Sequence, residues 1–338
     1  MELRIKFEEV VETLAQVLIY KGLVRDRAFR CATLFAEASC DGVHSHGVKR
    51  FPRLLRMIEN GSVDVNAEPK LIHAFRGTER WDGQRGIGNI HAQSSMERAI
   101  ELARSHGIGC VALANTNHWM RGGSYGWQAA IAGMIGICWT NTLPNLPAWG
   151  ASEPTLGNNP LVVAVPRSDG HVVLDMAMSQ FSFGALEEFR KRGEDLPVVG
   201  GFDEGGNLTC DPEAIEKTGR VLPIGFWKGT GLSIVLDMIA AMLSGGLATH
   251  HIPTDPDLET GISQVFIAID PRTFGDEAVS DNIANAIIAS IDPNGKGSPR
   301  YPGSGTMQIR KTNLADGIPV DNEVWEQIRE ESGVVHLR

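Results

Sequence analysis

The sequence lacks the features that mark metal-binding, thiol-exchanging and membrane-spanning proteins. Its five cysteines are scattered along 338 residues without a C-x-x-C pair, which disfavours a zinc site and indicates reduced thiols. The longest strongly apolar stretch, residues 231–243, contains Asp237 and is too short for the ~30 Å hydrocarbon layer of a bilayer. The charged, amphipathic first residues differ from a secretory signal. These absences predict a cytoplasmic protein without a membrane span.

Positive charge is also scarce. Lysine and arginine total 31 against 41 aspartates and glutamates, which gives a formal net charge of -10, and no block of consecutive basic residues occurs. Because binding to nucleic acid needs a concentrated positive surface, the sequence predicts no nucleic-acid partner. Glycine, in contrast, is abundant at 38 residues, and it has no collagen-like period. This abundance is typical of a protein with many turns and a site built from loops.

The dinucleotide-binding fingerprint G-x-G-x-x-G is missing as well. Gly83, Gly86 and Gly88 stand at a different spacing, and no acidic residue follows them at the distance that the fingerprint requires. The residue pattern taken alone therefore argues against a Rossmann domain.

The apolar pattern divides the chain into a helical beginning, a β-rich middle and a helical end. Residues 1–75 carry the 3.6-residue stripe of three helices. Gly22 suits the C-terminal cap of the first helix, Asp26 suits the N-cap of the second, and Pro52 suits the first turn of the third. From residue 76 onward, short apolar runs alternate with helices, as in an α/β domain.

Further elements follow from the same pattern. Strands are predicted at 109–113, 135–140, 161–165, 172–176 and 264–269, and helices at 91–105, 126–133, 181–192, 229–244 and 320–331. Turn residues at 166–170 predict an antiparallel hairpin, so the sheet is expected to be mixed rather than purely parallel. The predicted fold is α/β (α+β): a mixed-sheet domain at 76–295 and a discontinuous helical domain from residues 1–75 and 296–338.

Two histidines and an arginine in one loop are the first candidates for chemistry. His44 and His46 flank Ser45, and one helical turn would place His46 and Arg50 on the same face. Imidazole exchanges protons near neutral pH, and a guanidinium group binds a carboxylate in a bidentate manner. This pair suits a 2-oxo or 2-hydroxy acid. The alternative is a metal-dependent hydrolase in which His44 and His46 bind one ion.

His118 is a further candidate because it follows a predicted strand, where α/β proteins often bind ligands. Arg121 adds a second cation to the same glycine-rich loop. Asn141 and Asn158 could hydrogen-bond a polyol or cap turns. Asp175 lies inside an apolar strand, so its carboxylate requires a hydrogen-bond donor from the backbone or from a ligand.

A substitute for the missing phosphate-binding fingerprint occurs at residues 223–231. Glycines and a threonine there precede an apolar helix, whose first N–H groups could bind an anion. Lys228 would add a positive charge to such a site. Trp227 would line a site for an aromatic ring or fill core space. An ordinary turn with a solvated lysine is the alternative interpretation.

Several long segments together resemble the malate/L-lactate dehydrogenase family that lacks a Rossmann domain, and the resemblance covers nearly the whole chain. Its carriers are residues 45–50, 81–88, 117–127, 136–141, 174–179 and 227–231. The resemblance implies an NAD(P)H-dependent carbonyl reductase with a mixed-sheet cofactor domain, forming a homodimer whose active site lies near the subunit interface. The run Asn117, His118, Trp119, Met120 and Arg121 indicates a branch that reduces a 2-oxo sugar acid.

The resemblance also assigns residues. The proton donor corresponds to His46, with His118 as a second catalytic candidate. Arg50, Ser45, Asn141 and Asn158 are the candidates for substrate binding. The cofactor segments correspond to His171, Val172, Val173, Leu174, Asp175, Met176 and Ala177, to Trp227 and Lys228, and to Gly303, Ser304 and Gly305. The last segment departs from the family, because relatives commonly carry an acidic residue just after Pro-Gly.

The expected reaction is hydride transfer to the ketone of a 2-oxo sugar acid, with His46 entering as the imidazolium that protonates the oxygen. NADH is the expected cofactor, with NADPH as the alternative. Other substrates on the same scaffold are malate, lactate, ureidoglycolate or a cyclic imino acid. Two alternatives come from other classes, a metal-dependent hydrolase at His44 and His46 and a catalytically silent binding protein.

Overall fold

The computed structural model describes residues 3–292 and 300–331. Within them the helices are α1 (Phe7–Tyr20), α2 (Arg25–Cys40), α3 (Phe51–Glu59), α4 (Gly88–His106), α5 (Gly123–Ile131), α6 (Phe183–Arg192), α7 (Pro212–Thr218), α8 (Trp227–Ser244), α9 (Glu277–Ser290), α10 (Ser304–Asp316) and α11 (Asn322–Glu331). The strands are β1 (Leu3–Ile5), β2 (Lys70–Phe75), β3 (Thr78–Asp82), β4 (Ile108–Asn117), β5 (Ile135–Thr140), β6 (Leu146–Pro147), β7 (Pro154–Leu156), β8 (Leu161–Val165), β9 (Val172–Met176), β10 (Gly201–Phe202), β11 (Leu208–Thr209), β12 (Thr260–Ile269) and β13 (Ile318–Val320).

A seven-stranded sheet in the order β2-β3-β4-β12-β5-β8-β9 is the framework of the molecule. β3 and β4 run parallel, whereas β12 is antiparallel to both of its neighbours, β4 and β5. β8 and β9 form the antiparallel hairpin that the turn residues predicted. The α/β fold with a mixed sheet is therefore confirmed.

Alternation along the strands builds an apolar layer on each face of the sheet. In β4, Val111 packs with α4 and α5 on one face, while Ala112 packs with α6, α7 and α8 on the other. In β12, Phe266 belongs to the apolar layer with α4 and α5, and Val265 belongs to the layer with α6, α7 and α8. Burial on both faces explains why the central strands are apolar. The predicted limits 109–113 and 264–269 were too short, because β4 is Ile108–Asn117 and β12 is Thr260–Ile269.

The two ends of the described chain pack together in a separate helical layer. α1, α2 and α3 share one apolar core with β13 and α11, in which Trp325 and Ile328 are buried. β1 pairs antiparallel with β13, a contact between the two ends that the sequence did not indicate. Gly22 follows α1 with a φ of 100°, as predicted for a left-handed cap.

Several predicted boundaries need correction. The sheet begins with β2 at Lys70, so it includes residues that the sequence pattern assigned to the helical part before residue 76. The N-cap of α2 is Val24, and Asp26 lies in the first turn instead, where an acidic side chain still favours the helix dipole. α9 was not predicted, and it buries none of its residues. Its apolar side chains recur every four residues and are exposed: Val279, Ile283 and Ile287.

Among the described residues, we find no helix that is both long enough and apolar enough to cross a membrane.

Candidate active site

The loop between α2 and α3 forms two short 3₁₀ turns, His44–His46 and Val48–Arg50. Gly47 joins them against α2, and a Cβ atom at this position would lie 2.0 Å from Oγ of Ser39. Oγ of Ser39 in turn accepts a hydrogen bond of 2.8 Å from the backbone N–H of Val48. A glycine is therefore required for the loop to approach the helix, and this approach fixes the position of His46.

His118 reaches the same place from the sheet, directly after β4. The backbone N–H of Met120 donates a 3.0 Å hydrogen bond to Nδ1 of His118. The Nδ1 atom is thus an acceptor, so the neutral imidazole carries its hydrogen on Nε2. Met120 has a φ of 64°, an unusual conformation that holds its N–H in this direction. His118 therefore presents a hydrogen-bond donor in its neutral state.

The two imidazoles meet in the folded chain. The rings of His46 and His118 stack with centroids 5.6 Å apart and an angle of 20° between their planes. Oγ of Ser45 lies 2.9 Å from Nδ1 of His46 and fixes the orientation of that ring. The sequence candidates His46, His118 and Ser45 thus come together.

A cleft of about 200 Å³ lies beside these rings. The polar side chains at its surface are Ser45, His46, His118, Arg121, Thr142, Asn158, Asp175 and Ser182. Oδ2 of Asp175 accepts a 2.7 Å hydrogen bond from the N–H of Gly123, which is the backbone donor that its position in β9 required. The cleft lies between the helical layer, which supplies His46, and the sheet, which supplies His118 and Asp175.

The electrostatic surroundings keep both imidazoles neutral. Burial, followed by the charges of Arg50 and Arg121, lowers the pKa of His46 to about 3. Burial, followed by the charge of Arg50, also lowers the pKa of His118 well below its ordinary value. The expectation that His46 is an imidazolium therefore needs correction for the protein without substrate, in which this ring is neutral at pH 7.

Arg50 is the cation with the largest effect on the pKa of both imidazoles. Burial and the neighbouring charge of Arg53 lower its pKa to about 10, so it stays charged at neutral pH. In residues 3–292 and 300–331, its guanidinium group has no hydrogen bond or ion pair. The carboxylate of Glu259 is close enough to oppose the lowering of that pKa. Arg50 is thus a positive group available to an anion.

The two asparagines predicted to bind substrate differ in whether their polar atoms are available. Oδ1 of Asn158 accepts hydrogen bonds from Oγ1 of Thr142 and Nδ2 of Asn145 at 3.1 and 3.3 Å, which leaves its own Nδ2 group for the cleft. Asn141 is completely buried, and its amide bonds Asp237, Leu247 and Ser263. The prediction that Asn141 binds substrate is wrong, because its polar atoms already bond α8, β12 and the loop between them.

The 3₁₀ turn His44–His46 places its two histidines in different cavities. His44 lines a cavity of about 320 Å³, together with Lys49 and Lys191. In the described ranges, no cluster of three or more His, Cys, Asp or Glu side chains has an arrangement suited to a metal ion. The geometry gives no support to a hydrolase in which His44 and His46 share one ion.

Two of the three predicted cofactor segments are neighbours. The N–H of Val173 in β9 donates a 3.0 Å hydrogen bond to the carbonyl of Pro302. Gly303 follows with a φ of 94°, and a Cβ atom there would lie 3.2 Å from N of Val173 and 3.3 Å from O of His171. Ser304 and Gly305 begin α10. Residues 171–177 and 303–305 therefore form one continuous surface that ends at Asp175 in the cleft.

The third segment lies at the start of α8. Trp227 is 67% exposed and Lys228 is also exposed, and neither belongs to the cleft around His46. The alternative that Trp227 fills core space is wrong. The helix begins at Trp227, earlier than predicted, because Phe226 takes a left-handed φ of 59° immediately before it. The glycines at 229 and 231 therefore lie inside the helix rather than in a loop.

The sequence did not single out Asp41 or Glu259. Asp41 forms a buried ion pair with Arg121, across 80 residues of chain. Glu259 is 2% exposed, and it accepts a 3.1 Å hydrogen bond from the N–H of Leu143, in the loop that follows β5. No local pattern marks such long-range pairs, so only the packed structure shows them.

Comparison with known proteins agrees with this fold. Residues 5–329 match the family model described as malate/L-lactate dehydrogenase. The chain is 46% identical over 331 residues to 2,3-diketo-L-gulonate reductase of Citrobacter koseri, covering 97% of this chain and 99% of the relative. It is 47% identical, with the same coverage, to the reductase of that name from Klebsiella pneumoniae.

Solved structures extend the comparison. Sulfolactate dehydrogenase from Methanocaldococcus jannaschii superposes with a TM-score of 0.90 at 27% identity, covering 99% of this chain and 98% of that one. Malate dehydrogenase from Pyrococcus horikoshii superposes with a TM-score of 0.89 at 28% identity, covering 100% and 97%.

The fold and the paired imidazoles define an oxidoreductase that acts on a keto acid and uses a nicotinamide cofactor. The chain belongs to the malate/L-lactate dehydrogenase family.

Proposed function

We propose that this enzyme reduces the 2-oxo group of a 2-oxo sugar acid, 2,3-diketo-L-gulonate, to give 3-dehydro-L-gulonate, with NADH as the cofactor. The observation that carries the proposal is the stacked pair His46 and His118 beside a guanidinium group, Arg50, that has no partner in the part of the chain described. The 46% and 47% identity to reductases of that substrate supports the choice of substrate.

The residues of the predicted cofactor segments fit a nicotinamide dinucleotide. Gly303 allows the start of α10 to approach the backbone of β9, because a Cβ atom there would lie 3.2 Å from N of Val173 and 3.3 Å from O of His171. Asp175 lies between this surface and the imidazoles, with part of its carboxyl group open to solvent. Lys228 and Trp227, both exposed, offer a cation for phosphate and an aromatic surface. When bound, the reduced cofactor supplies a hydride.

The substrate is held by residues from both layers of the molecule. Arg50 binds its carboxylate, because its charge is otherwise unneutralised by a close partner. Nδ2 of Asn158 donates to a hydroxyl group, and the Nε2–H of His118 donates to the oxygen of the reacting carbonyl. Ser45 positions His46 without touching the carbonyl.

His46 donates the proton that the new hydroxyl group needs. In the protein without substrate its pKa is about 3, because burial and Arg50 disfavour a second positive charge. A substrate carboxylate at Arg50 would offset that charge and raise the pKa of the ring, which favours protonation of His46 when substrate binds. The protonated ring would donate this proton to the oxygen of the reacting carbonyl. This step is typically worth ~10² to 10⁴ in rate.

The proposal includes a homodimer and a cytoplasmic location. α8 carries exposed apolar residues on successive turns, Val235, Met238 and Met242, which suit contact with a second subunit. All five cysteines are free thiols, as expected for a reducing compartment. Light scattering of the wild type and of Met238→Lys tests the dimer, which the charge on this face should weaken.

The test of the function is oxidation of NADH, and separately of NADPH, by the purified protein. The panel contains 2,3-diketo-L-gulonate, pyruvate, oxaloacetate and a cyclic imine. Rapid oxidation of NADH with diketogulonate, and slower oxidation with the others, is the expected result. A preference for another member would reassign the substrate within the family. Silence with both cofactors would overturn the proposed reduction.

A further inference from the structure

A buried arginine lies at the edge of the cleft, and neither the proton transfer nor carboxylate binding uses it. Arg121 is 6% exposed and lines the cleft together with His46 and His118. It follows β4 and lies two residues before α5, so its backbone is fixed by the sheet and by a helix. Its charge acts on His46, whose pKa it helps to lower. Arg121 is therefore part of the same electrostatic site.

The ion pair of Arg121 uses a small part of its hydrogen-bonding capacity. Its Nη1 atom pairs with Oδ2 of Asp41, and no other hydrogen bond of its side chain occurs among the residues described. Its Nε atom is buried and has no hydrogen-bond partner there. Leaving such donors unpaired in a protein interior is costly. The guanidinium group of Arg121 therefore has hydrogen-bond donors that no described residue accepts from. Because this group lies beside the cleft, we expect an oxygen atom of a bound ligand to accept from them.

Asp41 holds the guanidinium group in place. Oδ1 of Asp41 lies 3.3 Å from Nε of Arg310, which belongs to α10, and Arg310 also pairs with Glu37 at 3.1 Å. Asp41 is therefore already paired with a second cation outside the cleft. The pairing with Arg121 orients that side chain, and Arg310 remains as a cation beside Asp41 when Arg121 is replaced.

We propose that Arg121 recognises the oxygen on the carbon next to the reacting carbonyl, so that the enzyme selects 2-oxo acids that carry an oxygen at carbon 3. The inference rests on the proposed reduction of a 2-oxo sugar acid. Arg121 lines the cleft, and Arg50 is close enough to both imidazoles to lower their pKa values. A simple 2-oxo acid has one carboxylate to offer these two cations. A second oxygen, at carbon 3, satisfies the second guanidinium group.

The test compares two matched substrates, 2,3-diketo-L-gulonate and its analogue with hydrogen instead of oxygen at carbon 3. kcat/KM is measured for wild type, Arg121→Lys and Arg121→Met; the analogue is measured as a competitive inhibitor if it turns over too slowly. Loss of a hydrogen bond to a charged group predicts a fall of about 10- to 100-fold on the diketo acid in Arg121→Met. The analogue should change by less than about threefold, and Arg121→Lys should be intermediate.

Arg310→Gln is the control, because it removes the other cation from Asp41 without altering the cleft. It should retain the wild-type ratio between the substrates. An equal fall on both substrates in Arg121→Met, or an unchanged ratio, would overturn the inference and leave Arg121 a structural role. Thermal melting separates a misfolded variant from a specific loss. If the wild type reduces neither substrate, the proposed function fails, which is a separate outcome.

Discussion

The imidazole rings of His46 and His118 lie 5.6 Å apart, centroid to centroid, with their planes inclined by 20°. The two residues come from different layers of the molecule, His46 from a turn after α2 and His118 from the end of β4. Neighbouring hydrogen bonds orient each ring, through Ser45 in one case and through the N–H of Met120 in the other. The pair therefore depends on the contact between the helical layer and the sheet.

Arg50 is expected to bind the carboxylate of the substrate. Arg50→Met should raise the KM for the 2-oxo acid about 10- to 100-fold, because a charged hydrogen-bonded contact is worth ~1.5–3 kcal/mol, and it should leave the KM for NADH unchanged. Steady-state kinetics with each substrate varied in turn provides the measurement. Arg56→Met is the control, since Arg56 is exposed and pairs with Asp257. A selective rise in the KM for NADH would contradict this role.

Gly303 and Gly206 form a matched pair that tests the surface of the cofactor segments, since both have a positive φ, 94° and 80°. Gly303→Ala strains this backbone and places a methyl group 3.2 Å from N of Val173, so the KM for NADH should rise several-fold. Gly206 lies between β10 and β11, outside the cofactor segments, and a Cβ atom there would have no neighbour within 4 Å. Gly206→Ala should therefore bind NADH as the wild type does. Equal effects in the two variants, by fluorescence titration of NADH, would show that this surface does not hold the cofactor.

Lys228 is expected to contact a phosphate group of the cofactor. Lys228→Ala should raise the KM for NADH about threefold to tenfold and weaken the dependence of that KM on salt, because an exposed ion pair is screened. The KM for the 2-oxo acid should stay constant. Lys191→Ala, on the exposed surface of α6, provides a control with the same change of charge. An effect confined to the 2-oxo acid would refute the role of Lys228.

Buried histidines should make the protein sensitive to acid. Burial lowers the pKa of His46 to about 3 and that of His91 to about 4, while the same groups in the unfolded chain titrate near 6.5. Below pH 6.5 the unfolded state therefore binds more protons, and the free energy of unfolding falls as the pH decreases toward these lower values. The expected loss is ~1 kcal/mol per histidine between about pH 6 and pH 5.

Urea unfolding at a series of pH values measures this loss. The variant His46→Asn should show a smaller decrease in stability between about pH 6 and pH 5 than the wild type, because one proton-uptake step is removed. His73→Asn, on the exposed strand β2, should behave as the wild type. Identical pH dependence in all three proteins would contradict the neutral, buried state of His46.

The sequence predicted the central strands because burial on both faces leaves a local record. The limits of β5, β8 and β9 match the prediction, since each is a short apolar run bounded by turn residues. It also predicted that His46 and Arg50 would act together, because they are close in the chain. Short-range patterns thus located five of the seven strands of the sheet, whereas β2 and β3 were not predicted.

The rest of the site depends on long-range packing that no local pattern records. Asn141 and Asn158 look alike in the sequence. The side chain of Asn141 bonds residues of α8, β12 and the loop between them, whereas Asn158 keeps its Nδ2 group for the cleft. The pairing of Asp41 with Arg121 joins residues that are far apart in the chain. The neutral state of His46 follows from its burial and from the nearby charges of Arg50 and Arg121. Burial and the approach of Arg121 arise in the folded chain, so the sequence does not show them.

The most direct test of the account is the His46→Asn variant, assayed by loss of NADH absorbance with 2,3-diketo-L-gulonate and by fluorescence titration of NADH. The account predicts a fall in kcat of at least about 100-fold, the lower end for a general acid, with wild-type affinity for NADH. Unchanged turnover would contradict the assignment of His46 as the proton donor.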